Sequence, residues 1–273
     1  MRAIAKINLF LEIKNKRNDG YHEIKTVFYP LFDLYDDIEI ESYDFLTIET
    51  DHSDLPINQN NICWKAAQYF ASEAAIEPRW KIKIKKRIPI SAGLGGGSSD
   101  AAIVLKILDN LYPGRCEIRK IAKSLGADVN YFLNPVISLG EGIGENLSNL
   151  NINLKIPLLI VNPLFPVSSA WAYKNYFSNS SVSLDSFLNT LKSGDIANIA
   201  KNIRNDLAPA LYKKFPFLEM IKESLFQTSA LGVEISGSGS SLFAIYKSRD
   251  DLIRAKQKIE SLYENSVLCF ISC

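Results

Sequence analysis

A glycine-rich stretch, PISAGLGGGSSDAA over residues 89–102, has the composition of a phosphate-binding loop. It follows an alternating, strand-like run and precedes an apolar, helix-like run. Main-chain N–H groups at the start of a helix, together with the positive end of its dipole, bind anions, and glycines let an anion approach the backbone. Four glycines within residues 93–97, followed by Ser98 and Ser99, exceed what a tight turn needs. The stretch therefore predicts a phosphate site.

Two better-known phosphate motifs do not fit this stretch. A P-loop needs a lysine and then serine or threonine after its second glycine, and GGGSSD contains no lysine. A dinucleotide fingerprint reads GxGxxG; Gly93 and Gly95 match it, but Ser98 stands at the third glycine position. Main-chain amides would therefore hold the phosphate, and a side chain within residues 93–97 would fill space that it needs. A serine-capped tight turn is the alternative interpretation.

Further polar residues stand out elsewhere in the chain. Lys6 and Asn8 are two residues apart in the apolar run AIAKINLFLEI, so they lie on one face of a predicted strand. His22 follows the polar turn NKRNDGY, and Asp128 follows a predicted helix in SLGADVNYFL. From residue types alone, the simplest interpretations are a solvated sheet edge for the lysine–asparagine pair, a surface loop for the histidine and a helix N-cap for the aspartate.

The elements around these residues alternate between strands and helices. Strands are predicted at residues 2–13 and in EIKTVFYPLF, DDIEIES, DFLTIET and VISLGEG, and helices in NNICWKAAQYFASEAA, SSDAAIVLKILDNLY and CEIRKIAKSLG. WKIKIKK alternates strictly, with apolar residues on one face and lysines on the other. KIPLLIVNP opens a second part, where helical segments over 169–227 precede the strands GVEIS, LFAIY and SVLCFIS and the helix RDDLIRAKQKIESLY. This order predicts an α/β fold.

Composition narrows the class of protein. The 273 residues carry a net charge of +1, so no global field would hold nucleic acid. No apolar run approaches the ~20 residues that span a bilayer, and the N-terminal run lacks a signal-peptide cleavage site. The four cysteines form no CxxC pair and no zinc spacing with the two histidines, which favours reduced thiols and a cytoplasmic location.

PISAGLGGGSSDAA also resembles the second motif of the GHMP kinases, a family of small-molecule kinases. In that family the loop wraps the phosphates of ATP, and main-chain amides do most of the binding. Asn61 in NNICWKA and Lys86 in KKRIP match flanking positions that hold adenine. The loop residues implied to bind ATP are Pro89, Ile90, Ser91, Ala92, Gly93, Leu94, Gly95, Gly96, Gly97, Ser98 and Ser99.

Other stretches resemble one branch of the same family. AKINLFLEI matches its N-terminal motif, which implies that Lys6 lies beside a catalytic aspartate and that Asn8 contacts the substrate. LGADVNYF matches the stretch around that aspartate, Asp128, although Asn130 stands where the branch has proline. RNDLAPAL, at residues 204–211, also matches and is interpreted as structural.

The same branch binds a cytosine base and closes a second glycine turn on the phosphate region. The resemblance places Tyr21, His22 and Tyr173 in the base pocket, and Ser169 stands where the family has threonine. EISGSGSSLFAI resembles the third motif of the family, for which a plain hairpin linker is the alternative. The residues that it implies near the reacting phosphate are Gly237, Ser238 and Gly239.

The implied reaction moves the γ-phosphoryl group of ATP, with Mg²⁺, to the 2-hydroxyl of 4-diphosphocytidyl-2-C-methyl-D-erythritol in the non-mevalonate isoprenoid route. Asp128 would take the proton from the hydroxyl, and Lys6 would orient both groups. The implied fold has two domains, with the site in the cleft between them. Residues 1–153 would form an ATP-binding domain with a mixed sheet and helices on one side, and residues 154–273 a helix-rich substrate domain with a ferredoxin-like sheet.

Other functions stay open at this point. Another GHMP kinase, of the homoserine or mevalonate type, would carry a similar loop but has no base to hold, so Tyr21, His22 and Tyr173 argue against it. A decarboxylase of the same superfamily is a further alternative. A non-catalytic nucleotide-binding module would need neither Lys6 nor Asp128.

Overall fold

The structure, a computed structural model, describes residues 1–177 and 180–273. By its internal contacts it divides into two compact units. Unit 1 contains residues 1–5, 35–88 and 95–135, and unit 2 contains residues 6–34, 89–94 and 136–273. Both units are discontinuous because two long strands, β1 (Arg2–Lys16) and β2 (His22–Ser42), contribute to each of them. This division differs from the linear boundary at 153/154, which stays a prediction.

The strands of unit 1 present one apolar and one charged face. β3 (Thr47–Thr50) runs parallel to β4 (Trp80–Lys85), and β4 pairs antiparallel with β2, with Ile38 opposite Ile84. The apolar residues of β4 are buried, whereas Lys81 and Lys83 form ion pairs with Glu41 of β2. The strict alternation of WKIKIKK is therefore confirmed as a strand with one covered face.

The helices of unit 1 pack against one another, and the first of them contacts the apolar face of these strands. They are α1 (Ile62–Ala74), α2 (Gly96–Leu111), α3 (Ile118–Leu125) and α4 (Ala127–Phe132). Phe70 of α1 contacts Trp80 of β4, with ring centroids 6.4 Å apart. The α1 helix begins at its N-cap Asn61 and ends at Ala75, which adopts a left-handed conformation.

In unit 2, β1 lies between β2 and the short strand β8 (Arg204–Asn205), which it meets in parallel. On its other side β2 pairs with β5 (Ser138–Glu141), which pairs with β6 (Asn146–Asn149). The prediction of separate strands for EIKTVFYPLF and DDIEIES is wrong, since both belong to β2. Residues 33–35, which separate the two stretches, continue the strand. Asp36, the first residue of DDIEIES, is buried there and accepts hydrogen bonds from the N–H groups of Arg87 and Ile88.

A second sheet of unit 2 is antiparallel throughout. Its order is β11-β7-β10-β9, made from β7 (Leu158–Asn162), β9 (Gly232–Ile235), β10 (Leu242–Ile245) and β11 (Leu268–Ser272). The remaining helices are α5 (Ser169–Asn175), α6 (Leu184–Ser193), α7 (Ile196–Asn202), α8 (Ala208–Lys214), α9 (Pro216–Phe226) and α10 (Arg249–Tyr263). The predicted α/β class is confirmed. No helix in the described part of the chain is long and apolar enough to cross a membrane.

Candidate active site

The second half of the glycine loop begins helix α2 in unit 1. Gly95 is the N-cap, with a left-handed φ of 74°, and its carbonyl accepts a hydrogen bond of 2.9 Å from the N–H of Ser99. The N–H groups of the first turn of a helix have no acceptor within that helix, so they are available to an anion. Gly97 is exposed, and a Cβ added there would meet only a side-chain carbon of Ile62, at 3.7 Å. This part of the loop has the features of an anion site.

The first half of the loop belongs to unit 2 and packs against backbone. A Cβ added at Gly93 would lie 2.0 Å from the carbonyl oxygen of Ser236, and the φ of Gly93 is 77°. The hydroxyl of Ser236 donates to the carbonyl of Gly93 at 2.9 Å. The N–H of Ser241 donates to the carbonyl of Ala92 at 3.1 Å. The expectation that every glycine of residues 93–97 leaves room for phosphate needs correction at Gly93, because there the glycine makes room for the chain's own backbone.

The turn that meets Gly93 is the second glycine-rich segment, between β9 and β10. Gly237 and Gly239 both have positive φ, 53° and 75°. The side-chain amide of Asn205 donates to the carbonyls of Ile235 and Gly237, each at 2.8 Å, and so fixes the shape of the turn. Asn205 lies in RNDLAPAL, which the sequence analysis interpreted as structural, and this contact agrees with that interpretation.

Lys6 and Asn8 lie beside this turn in unit 2. A Cβ added at Gly237 would be 3.1 Å from Oδ1 of Asn8 and 3.5 Å from Nζ of Lys6. Both side chains are buried, at 4% and 3% exposed, in a strand with neighbours on either side. The interpretation of the pair as a solvated sheet edge is therefore wrong.

A chain of hydrogen bonds orients this pair. Nζ of Lys6 donates to Oδ1 of Asn8 at 2.7 Å and to the carbonyl of Gly93 at 3.3 Å. The amide nitrogen of Asn8 donates at 2.7 Å to the hydroxyl of Thr26, which donates to the carbonyl of Phe10. Thr26 carries no sequence signal, because its role depends on the pairing of β2 with β1. A buried ammonium held beside two glycine turns has the chemistry to stabilise negative charge.

The residues predicted to hold a base are partly brought together. His22 stacks on Tyr173 with ring centroids 5.7 Å apart, and the edge of Tyr176 meets it at 5.2 Å. Burial, and then the charge of Lys16, lower the pKa of His22 below its ordinary value. Tyr21 is 61% exposed, and its N–H donates to the carboxylate of Asp19 in the preceding turn. The sequence analysis missed Tyr176.

Ser169 connects α5 to the second glycine turn. It is the first residue of α5, which also carries Tyr173, and its hydroxyl lies 2.8 Å from the hydroxyl of Ser238. The structure therefore places Ser169 with the turn of Gly237 and Gly239, within unit 2. Serine retains the hydroxyl that the family's threonine would supply.

Asp128 lies in the first turn of α4, in unit 1, and is half-buried. The N-cap of that helix is Gly126, with φ and ψ near 160°, so the interpretation of Asp128 as an N-cap is wrong. The aspartate is instead two residues inside the helix, directly after the end of α3.

The two residues predicted to hold adenine, Asn61 and Lys86, form hydrogen bonds and ion pairs with other residues of unit 1. Asn61 caps α1, accepting from the N–H of Cys63 at 2.8 Å and donating to the carbonyl of Pro56 at 2.7 Å. The ammonium of Lys86, whose side chain is 3% exposed, forms ion pairs with Asp36 and Asp100. The structure therefore gives both side chains contacts with the protein itself.

The ion pairs of Lys86 lie beneath the start of α2. Nζ of Lys86 is 2.8 Å from Oδ2 of Asp100, while Oδ1 of Asp100 has no hydrogen-bond partner among the described residues. Burial, and to a smaller extent the charge of Asp36, raise the pKa of Asp100 to about 8, although Lys86 opposes the shift. One ammonium for two buried carboxylates favours a proton on Asp100.

No group of three histidine, cysteine or acidic side chains among residues 1–177 and 180–273 could hold a metal ion. All four cysteines are free thiols, of which Cys63 and Cys269 are buried.

Comparisons with known proteins agree with these motifs. The family described as GHMP kinases N terminal domain matches residues 61–134, and the family described as GHMP kinases C terminal matches residues 187–265. A protein of Pelodictyon phaeoclathratiforme named 4-diphosphocytidyl-2-C-methyl-D-erythritol kinase is 34% identical, over 98% of this chain and 95% of its own. A protein of the same name from Clostridium kluyveri is 38% identical, over 94% of this chain and 92% of its own.

A solved structure gives the same result at the level of the fold. The crystal structure of a 4-(cytidine 5'-diphospho)-2C-methyl-D-erythritol kinase matches with a TM-score of 0.84 and 29% identity, covering 100% of this chain and 97% of the other. Sequence identity above 30% along nearly the whole chain, a shared fold and both domain matches lead to one conclusion. The chain belongs to the GHMP kinase family, beside relatives named 4-diphosphocytidyl-2-C-methyl-D-erythritol kinase.

Proposed function

We propose that this protein transfers the γ-phosphoryl group of ATP to the 2-hydroxyl of 4-diphosphocytidyl-2-C-methyl-D-erythritol. The observation that carries the proposal is the buried Lys6–Asn8 pair, hydrogen-bonded within itself and lying against the second glycine turn. A binding module has no need to bury an ammonium in this way, whereas a kinase uses one to stabilise the charge of the moving phosphoryl group. The names of the relatives supply the acceptor.

The tertiary 2-hydroxyl is a weak nucleophile that must lose its proton as it attacks. By resemblance we assign this step to Asp128, as general base. Lys6 would orient the hydroxyl, and Asn8, fixed by Thr26, would contact the substrate. The chemistry that protein residues contribute to phosphoryl transfer is mainly positioning and charge stabilisation, which matches a site rich in fixed polar groups.

The polyphosphate would be held at the start of α2, where the open position of Gly97 and the first-turn N–H groups support anion binding. Gly237, Ser238 and Gly239 would lie near the transferred phosphoryl group. Mg²⁺ usually keeps several waters and is held by substrate phosphates together with only one or two protein carboxylates. Ser98 and Ser99 of the loop would add hydroxyl groups beside the polyphosphate. When bound, the ion neutralises charge on the polyphosphate.

The aromatic group around His22 favours the cytidyl substrate over homoserine or mevalonate. Neither of those acceptors has a ring, while Tyr173 offers a stacking surface and the imidazole a polar edge. The domain boundary at 153/154 and the assignment of Asn61 and Lys86 to adenine remain part of the proposal. Four free thiols support a cytoplasmic location.

A panel of acceptors tests the proposal. ADP release should require the cytidyl substrate and should not be stimulated by homoserine or mevalonate. Asp128→Ala should lower turnover by ~10²- to 10⁴-fold, the usual contribution of a general base, with an unchanged circular dichroism spectrum. ATP binding without turnover on any acceptor would favour a nucleotide-binding module instead, and normal turnover by folded Asp128→Ala would remove the assignment of the base.

A further inference from the structure

The imidazole of His22 is held by two tyrosines that lie three residues apart. Tyr173 stacks on it at 5.7 Å with 20° between the ring planes, and Tyr176 meets it edge-on at 5.2 Å and 81°. Residues three apart at a helical turn lie on the same side of a helix, and α5 ends directly before Tyr176. A stacked and a perpendicular contact together restrict both the tilt and the rotation of the imidazole.

Tyr176 is itself anchored. It is partly buried and packs, with Tyr173, on the hydrophobic core of unit 2. That core includes Leu11 and Ile13 of β1 and Ile24 of β2, the strand on which His22 lies. The ring that restrains His22 is therefore tied to the same framework as the strand that carries it.

We propose that Tyr176 is a positioning residue for base recognition, holding the ring plane of His22 so that its nitrogen meets the polar edge of a cytosine. The inference rests on the proposed function, because it takes the base to be that of the cytidyl substrate. It adds a residue that touches His22 rather than the substrate.

The chemistry of the base explains why ring orientation matters. A neutral imidazole has one donor and one acceptor nitrogen. Cytosine offers an N4–H donor beside its N3 acceptor, whereas uracil offers an O4 acceptor beside an N3–H donor. The imidazole nitrogen that faces the base matches one pattern in one tautomer and the other pattern in the other tautomer. Selection between the bases therefore needs that nitrogen to be held at a fixed place and angle, which a mobile ring does not provide. Lys16 is the charged group that acts on His22, and it lowers the pKa together with burial, which favours the neutral form.

Binding of CDP and UDP, measured by calorimetry, tests this role. The full-length protein is compared with Tyr176→Leu, Tyr176→Phe and a control, Tyr69→Leu, whose tyrosine is 46% exposed on α1. Tyr176→Leu should reduce the preference for CDP over UDP by about 2- to 10-fold, the range of an aromatic pair. Tyr176→Phe and Tyr69→Leu should keep the preference. If Tyr176→Leu does not fold, Tyr176→Met replaces it.

A second readout does not depend on the substrate. The chain has two histidines, so NMR can follow the titration of His22 with His52 as the internal reference and His22→Gln for assignment. Loss of the tyrosine ring exposes His22, so its pKa should rise toward the ordinary value in Tyr176→Leu and stay unchanged in Tyr176→Phe. The proposal is overturned if the pKa of His22 is the same in Tyr176→Leu as in the wild type. It is also overturned if that pKa changes while the preference for CDP over UDP does not. Absence of CDP binding in the wild-type protein would contradict the proposed function. The pKa of His22 would still show whether Tyr176 contacts it, because that measurement needs no substrate.

Discussion

The two glycine-rich segments of this chain, residues 93–97 and 236–241, look alike in sequence and differ in what their glycines do. Gly93 and the turn of Gly237 and Gly239 lie against each other within unit 2, where main chain occupies the space of a side chain. Gly97 lies in the first turn of α2 in unit 1, is exposed, and would meet only a side-chain carbon of Ile62, at 3.7 Å, if it carried a Cβ. Glycine in one motif therefore allows close approach of the chain's own backbone at Gly93, and we propose that at Gly97 it gives access to an anion.

Among the variants that test this comparison, Gly93→Ala should cause the largest loss of stability. The new methyl carbon would lie 2.0 Å from a backbone oxygen, at a φ of 77° that alanine rarely adopts. Since backbone cannot move aside as a flexible side chain can, we expect a loss of more than ~3 kcal/mol in the free energy of unfolding. Urea denaturation measures it. A variant as stable as the wild type would show that the two segments do not interlock.

Gly237→Ala should damage both stability and turnover. Its φ of 53° costs alanine ~1–2 kcal/mol, and the methyl group would press on Asn8 at 3.1 Å and Lys6 at 3.5 Å. Because the lysine–asparagine hydrogen bond would shift, we expect kcat to fall by about 10-fold or more, as small misplacements at a reacting centre do. Steady-state kinetics measure this, with Gly114→Ala as the control, since Gly114 also has positive φ and nothing within 4 Å. Equal kinetic effects of both variants would contradict the assignment.

Asn205→Ala removes the side chain that fixes the second segment. Two carbonyls, of Ile235 and Gly237, would lose their donor at 2.8 Å in a buried environment. We expect a loss of ~1–3 kcal/mol in the free energy of unfolding, the cost of leaving buried polar groups unsatisfied. Thermal unfolding checks this, and an unchanged Tm would mean that the turn holds its shape without Asn205.

Asp100→Asn probes the charge beneath the first segment. The folded protein raises the pKa of Asp100 from 3.8 to about 8, so the folded state keeps a proton that the unfolded state releases above about pH 4. Stability of the wild type should therefore fall as the pH rises from about 4 to 8, and the variant should lack this contribution. Unfolding curves at pH 5 and pH 8 measure this. The free energy of unfolding of the variant, relative to that of the wild type, should be higher at pH 8 than at pH 5. A constant difference between the two proteins would contradict a proton on Asp100.

Gly97→Ala should have the smallest effect on the fold. The added methyl group would meet Ile62 at 3.7 Å, an ordinary contact, and alanine favours a helix over glycine by ~1 kcal/mol. Stability should hold or rise, whereas the KM for ATP should increase because the methyl group would lie where we propose that phosphate approaches the helix. Unchanged KM values would place the polyphosphate elsewhere.

The sequence predicted correctly those features of the site that depend only on neighbouring residues. The alternation in β1 placed Lys6 and Asn8 on one face, and the apolar body of α2 placed the glycine loop at a helix start. The family motif, confirmed by the comparisons, then supplied the activity of the relatives.

What the sequence did not reveal depends on residues far apart in the chain. Gly93 needs to be glycine because of Ser236, which lies 143 positions away. Asp36 was predicted to begin a strand of its own, whereas it lies inside β2 and accepts hydrogen bonds from N–H groups 51 and 52 residues later in the chain. Tyr176 gave no signal at all, since only the packing of α5 brings its ring to His22.

The most direct measurement is the site of phosphorylation in the product. After incubation with ATP and 4-diphosphocytidyl-2-C-methyl-D-erythritol, phosphorus NMR with carbon correlation locates the new phosphomonoester. The account predicts one equivalent of ADP and one new phosphate, attached at the tertiary 2-hydroxyl. A phosphate on another hydroxyl, or ATP consumed to inorganic phosphate with the acceptor unchanged, would contradict it.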